Sequence, residues 1–152
     1  MSDREIYDEL RVSLMRFAAS LVGPDEAGDV VSEAVVATLR RRSLSSLEKP
    51  GPYLMQAVLN TARSRGRRRS REKVALARHV SMAPDVQVVA AEPSEVTEAV
   101  AGLPPMQRAA VFLVYWEDLQ PSQAAEVLGV RPATLRRYLH LARSRLKGYL
   151  DE

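Results

Sequence analysis

Cysteine is missing from the 152-residue chain, which excludes disulfides, thiolate metal sites and thiol nucleophiles. Histidine is almost missing too: His79 and His140 lie too far apart in sequence to read as a ligand pair. Aromatic residues make up only 5%, and no sustained apolar–polar alternation competes for a strand assignment. No apolar run approaches the ~20 residues of a membrane span. The opening residues Met1 to Glu5 lack the basic and apolar regions of a secretory leader. The expectation is a cytoplasmic chain without membrane insertion. No paired carboxylates, His–Ser arrangement or Gly-rich phosphate loop is found, so an enzyme is the least expected class. No metal or cofactor is expected.

What is present is a helical protein with strongly sorted charge. The hydrophobic content of 46% and charged content of 27% are ordinary for a soluble globular chain, and the length allows one domain or two small ones. The net charge of +3 conceals four blocks. Residues 1–38 carry −5, residues 39–73 carry +9, residues 74–99 carry −3 and residues 100–152 carry +2. An acidic start followed by a basic block points to two partners of different kinds, one of them a polyanion.

Ser2 to Glu5 fits a capping box. Ile6, Leu10, Leu14, Phe17 and Leu21 then recur in helical steps until Gly23-Pro24 stops the ladder. A second helix is expected from about Asp25 to Arg42, with Val31, Val35 and Leu39 on one side. Its acidic start and its end at Arg40, Arg41 and Arg42 both suit the helix dipole. Ser43 to Gly51 reads as a loop. A third helix is expected from about Pro52 to Arg71, with Leu54, Val58 and Ala62 on one face and Gly66 weakening its later part. Residues 74–93, broken at Pro84 and closed by Glu92-Pro93, read as a flexible linker. Further helical patterns cover about 94–101, 105–117, 122–128 and 132–149. The predicted fold is all-α: two small helical domains, 1–73 and 94–152, joined by the linker.

The most specific local feature lies in the second domain. A short helix stops at Gly129 and another opens at Pro132, where a fixed φ is favourable. Ala125 is small where the two helices cross, and Val130 and Leu135 are apolar where they seat. This spacing reads as a helix-turn-helix, presenting Arg131, Thr134, Arg136, Arg137 and His140 outward. Arginine at such a helix start can pair with guanine or grip phosphate. The plainer alternative is a helical hairpin with a solvated basic face. In the first domain, the run from Arg63 to Lys73 is the densest charge. Asn60, Arg63, Ser64 and Arg67 lie three or four residues apart and share one surface. That run reads equally as a solvated helix end. Tyr53, the only aromatic near it, either stacks on DNA or packs in the core, and Trp116 is expected in packing.

Taken in order, these segments resemble the extracytoplasmic-function group of sigma-70-type sigma factors, over about residues 4–73 and 97–150. The similarity is carried by Asp29-Val30-Val31-Ser32-Glu33-Ala34, by Pro52-Tyr53-Leu54 through Asn60-Thr61-Ala62-Arg63, by Leu103-Pro104-Pro105-Met106-Gln107-Arg108, by Glu117-Asp118-Leu119, and by the helix-turn-helix. Tyr53 and Ser64 stand where many members have Trp and Asp, which, with the Arg-rich tail, resembles an actinobacterial branch. Leu141 stands where an arginine often touches phosphate. Nothing in the pattern corresponds to an appended regulatory domain.

The resemblance implies a factor that binds core RNA polymerase, at its clamp helices and flap, and directs it to promoters. The first domain would read and open the −10 element and the second would bind the −35 element. It implies polymerase contacts at Asp29, Glu33, Ala37 and Arg40, and a flipped base held by the loop from Ser43 to Lys49. It further implies −10 contacts at Asn60, Arg63, Ser64, Arg67 and Arg68, and −35 contacts at Arg131, Thr134, Arg136, Arg137 and His140. An anti-sigma protein is a frequent partner in this group. The linker's 20 residues reach up to ~65 Å, comparable to the ~70 Å of two duplex turns. Two rival readings stand beside this one: a non-sigma helix-turn-helix regulator with a helical effector domain, and a helical adaptor with no DNA role.

Overall fold

The computed structural model describes residues 1–77 and 99–150. Among them every regular element is helical. In chain order these are α1 (Asp3–Val22), α2 (Pro24–Leu39), a 3-10 turn (Leu44–Ser46), α3 (Pro50–Ala77), α4 (Pro105–Val111), a π-helical turn (Phe112–Trp116), α5 (Pro121–Leu128) and α6 (Pro132–Leu150). Residues 99–101 are also helical. The linker residues 78–93 lie outside the described residues, as does the start of the short helix expected from 94.

The first helix forms as its pattern dictates. The Ser2 hydroxyl accepts from the Glu5 backbone N–H at 3.2 Å, and Ile6, Leu14 and Phe17 are buried. Gly23 takes φ +92°, a backbone angle that side chains with a Cβ resist. Pro24 then opens α2 where a missing N–H costs nothing.

The second helix departs from expectation at its far end. It stops at Leu39, so Arg40 to Arg42 lie beyond it, and Leu39 is exposed. Eight residues on from Val31, an ideal helix has rotated about 80° off the starting direction. The buried stripe therefore runs through Ala27, Val30, Val31, Ala34, Val35 and Thr38. Thr38 sits in it because its hydroxyl donates to the Ala34 carbonyl at 2.9 Å, which removes the cost of burying a bare hydroxyl.

The third helix starts earlier and ends later than the sequence predicts. Pro50 and Pro52 fall in its first turn, where N–H groups have no intrahelical acceptor, and the Tyr53 N–H already reaches the Lys49 carbonyl at 3.3 Å. A Cβ on Gly51 would lie 3.4 Å from Leu10 Cδ2, so a small residue lets α3 approach α1. The helix passes through Gly66 and enters the segment expected as linker, ending at Ala77. Two ion pairs to α2 straddle that glycine: Arg65 to Glu33 at 3.0 Å, and Arg69 to Glu26.

The later helices pack around Leu103, Ala109, Ala110, Leu113, Ala124, Leu135, Leu139 and Ala142. After Val111 the expected straight helix widens to a π turn, closed by the Glu117 N–H on the Phe112 carbonyl at 3.1 Å. The extra residue per turn shifts the phase. Phe112 and Leu113 stay inside, whereas Tyr115 and Trp116 face out. Trp116 is thus 54% exposed rather than packed, with one face stacked on Phe112 at 6.3 Å. Asp118 follows at φ +53°, a region that Asp tolerates better than most residues.

The two helical groups also touch. Phe17 and Phe112 approach to 5.7 Å between ring centres. The apolar clusters of both groups are continuous.

Candidate nucleic-acid interface

The arginine run of α3 is divided by helical phase. Arg65 and Arg69, one turn apart, reach back to carboxylates of α2. Asn60, Arg63, Ser64, Arg67 and Arg68 are all exposed, and none of these three arginines has an ion pair among the described residues. The structure therefore brings the predicted −10 set onto the open side of one helix. An exposed cation without a protein partner keeps its full attraction for phosphate. The same cation held by a carboxylate is largely neutralised.

Asp29, Glu33 and Ala37 of α2 and its C-cap residue Arg40 are exposed at steps of four, four and three residues, so they form one stripe. Glu33 is engaged at one oxygen by Arg65 and is 45% exposed. Val36 and Leu39, also exposed, add apolar surface beside the stripe. The sequence reading placed Leu39 on the buried side, because it resembles the core positions of the same helix, and gave Val36 no role.

Two clefts flank α3. One, of about 370 Å³, lies between α2 and α3 and reaches from Thr38 and Arg41 to Tyr53, Gln56 and Asn60. The other, of about 320 Å³, lies beside the loop that was expected to hold a base, and is lined by Leu47, Lys49, Tyr53 and Gln56. Tyr53 belongs to both walls. It is partly buried and carries the Arg42 guanidinium 5.7 Å above its ring, so it presents an aromatic face without leaving the packed surface.

The helix-turn-helix forms as read. Gln120 and Gln123 cap α5, the Gln120 N–H donating to Gln123 Oε1 at 3.0 Å. Gly129 takes φ +68°, and the Val130 N–H returns to the Ala125 carbonyl at 3.0 Å, the closing bond of a Schellman-type cap. Ala125 and Leu135 are buried where the helices meet. Arg131, Arg136, Arg137 and His140 are exposed and Thr134 is partly buried, so α6 presents two arginines from its first turns, with Arg131 just ahead of it. Leu141 is exposed, an apolar side chain on that surface. Farther along, the Arg143 side chain donates to Tyr115 Oη at 2.8 and 2.6 Å, tying α6 to the π turn.

Arg108 is a structural arginine that sequence reasoning quoted but gave no role. Its guanidinium donates to the Ala101 and Leu103 carbonyls, both at 2.9 Å, and to the Ser20 carbonyl at 3.2 Å. Burial lowers its pKa from the ordinary guanidinium value, but a guanidinium titrates so high that it stays charged.

Residues 94–146 match the protein-family model described as Sigma-70, region 4. The chain is 28% identical over 154 residues to an RNA polymerase sigma-E factor of Streptomyces antibioticus, covering 97% of this chain and 83% of that one. A protein of the same name from Streptomyces avermitilis is 29% identical over 146 residues, covering 91% and 79%. Among solved structures, the sigma factor RpoE in complex with the anti-sigma factor NepR, from Bartonella quintana, matches with a TM-score of 0.78 at 24% identity, covering 97% of this chain and 96% of that one. CnrH in complex with the cytosolic domain of CnrY matches with a TM-score of 0.66 at 22% identity, covering 98% and 87%.

Proposed function

We propose, for a chain that belongs to the sigma-70 family and to its extracytoplasmic-function group of sigma factors, a division of labour between two helical modules. The protein is an alternative sigma factor acting in transcription initiation. Residues 1–73 form the module that holds polymerase and reads and opens the −10 element. Residues 74–93 connect it to residues 94–152, which bind the −35 element. Asp29, Glu33, Ala37 and Arg40 meet the polymerase clamp helices, with Val36 and Leu39 as the adjoining apolar contact. Asn60, Arg63, Ser64, Arg67 and Arg68 meet −10 DNA. Arg131, Thr134, Arg136, Arg137 and His140 meet −35 DNA, α6 entering the major groove by its N-terminal turns.

The observation that carries this reading is the division of the α3 arginines. Those facing α2 are consumed by Glu26 and Glu33, while those beside Asn60 and Ser64 are left to a polyanion. A protein of this kind needs no nucleophile or metal, because polymerase supplies the catalysis. Its task is to favour strand opening by trapping unstacked bases, an exchange of a few kcal/mol per base, and a cleft walled by Tyr53 is suited to that. The partners are core RNA polymerase and promoter DNA, in the cytoplasm, and an anti-sigma protein, as the RpoE neighbour has in NepR. Among the described residues no helix is long and apolar enough to cross a membrane.

Run-off transcription with purified core polymerase tests the reading. Start-site-specific initiation that depends on this chain supports it. Sequence-specific DNA binding by the chain alone, with no polymerase association, favours the helix-turn-helix regulator instead. An inert chain in both assays favours the adaptor.

A further inference from the structure

The loop from Ser43 to Lys49 is folded by its own backbone and attached to α1. Its 3-10 turn closes with the Ser46 N–H on the Ser43 carbonyl at 3.2 Å and the Leu47 N–H on the Leu44 carbonyl at 3.1 Å. The Ser46 hydroxyl also donates to the Ser43 carbonyl, at 2.6 Å. Leu44, 1% exposed, pins the turn to the core. A helical turn leaves its first N–H groups without internal acceptors. One of these, the Ser45 N–H, donates to the Asp3 carboxylate at 3.1 Å, across 42 residues of sequence. Asp3 is partly buried and sits in the first turn of α1, whose N-cap Ser2 accepts from the Glu5 N–H. The loop's charged contact on its other side, Lys49 to Glu126 of α5 at 3.8 Å, is 61% and 59% exposed and holds little.

Resting on the sigma-factor reading, we infer that Asp3 is a positioning residue for strand opening: it holds the loop in the shape that receives a base extruded from the −10 element. Leu47 and Lys49 of the loop line the 320 Å³ cleft together with Tyr53 and Gln56 of α3. The width of that cleft depends on where the loop sits against α3. Leu44 fixes the depth of the turn, but one apolar side chain leaves the turn free to pivot. A second attachment one residue on, at Ser45, removes that freedom. The entropy of ordering the loop is then lost during folding and not at the moment the base enters. One such bond adds little to global stability, because water can satisfy an exposed N–H in its place. Its effect falls on the loop and on base capture, and leaves the polymerase-facing stripe of α2 alone.

Asp3→Ala in the full chain removes the acceptor, and Asp3→Asn keeps an oxygen there without the charge. Abasic sites placed in turn along the non-template strand of the −10 element locate the held base, as the position where wild-type initiation with core polymerase falls. Asp3→Ala should lower initiation on the intact promoter about threefold to tenfold, the range of one partly exposed hydrogen bond. It should shrink the abasic penalty at the held position by a similar factor and leave the other penalties unchanged. Asp3→Asn should return both values to within about twofold of wild type, and polymerase affinity should not move in either variant. Unchanged initiation by Asp3→Ala overturns the proposal. So does an equal change at every abasic position, or a parallel loss of polymerase binding. An Asp3→Asn variant as poor as Asp3→Ala overturns the hydrogen bond as the cause. Amide exchange in the free chain tests the tether apart from any role in transcription: the Ser45 N–H should exchange about threefold or more faster in Asp3→Ala, and equal rates overturn the tether. A wild-type chain that never initiates with core polymerase overturns the sigma-factor reading, and with it the role of Asp3 but not the tether.

Discussion

Helices α3 and α6 both carry arginines in number, and they use them differently. In α3 the residue type is the same along the run, yet position around the helix assigns the work. Arg65 and Arg69 brace α2, while Arg63, Arg67 and Arg68 stay exposed. In α6 no described arginine of the first turns is spent on a carboxylate, and among the described residues Arg143 alone is tied down, farther along the helix, by Tyr115. A basic run is therefore not one feature. Its chemistry is set by which side chains a neighbouring helix can reach, and that depends on the phase between the run and the buried face.

Four variants test this contrast and the packing that frames it. The largest effect should come from Arg63→Ala with Arg67→Ala. Two contacts of about 1–3 kcal/mol each should lower promoter-dependent initiation on the order of 100-fold. The slope of log affinity against log salt should drop by roughly two; a loss smaller than threefold would remove this face from the DNA surface. Next is Arg108→Met, which leaves three carbonyls without their charged donor. Hydrogen bonds to charged groups contribute about 1.5–3 kcal/mol net, and these three share one guanidinium, so a loss of about 2–3 kcal/mol is expected, read as a lower midpoint in thermal melting. An unchanged midpoint would show that these bonds hold nothing.

Third, Arg136→Ala should weaken binding about tenfold and relax sequence preference at the −35 element; a retained preference in a binding-site selection would deny it a base-reading role. The smallest effect belongs to Arg65→Ala with Arg69→Ala. Partly exposed pairs of this kind contribute about 1 kcal/mol or less, so stability should fall slightly while DNA affinity stays within about threefold. A drop matching that of the Arg63 and Arg67 pair would erase the distinction between the two faces.

The elements themselves were largely legible, because helical phase is a local property. Ile6, Leu14 and Phe17 announce α1, and Gly129 with Pro132 announces the turn of the helix-turn-helix. The errors arose where a local pattern admits two outcomes. Leu39 looks like a continuation of Val31 and Val35, but rotation over eight residues carries it outward and Thr38 takes the place, masked by its own hydrogen bond. Lys49-Pro50-Gly51 looks like a loop, although proline suits a first helical turn equally well. The predicted −10, −35 and polymerase-facing sets all lie on exposed or partly exposed surface. What could not be read locally is the pairing of Arg65 and Arg69 with α2, the burial of Arg108, the π turn that exposes Trp116, and the contact of Glu126 with the first module. Each depends on residues far apart in the chain.

The most direct test of two tethered modules on one duplex is a hydroxyl-radical footprint of the polymerase complex on a responsive promoter, paired with permanganate mapping of unpaired thymines. The account predicts two protected patches about two duplex turns apart. Unpaired bases should be confined to the downstream patch and lost in Asn60→Ala, with both patches still protected. A single continuous patch, or the same footprint from the chain without polymerase, would contradict it.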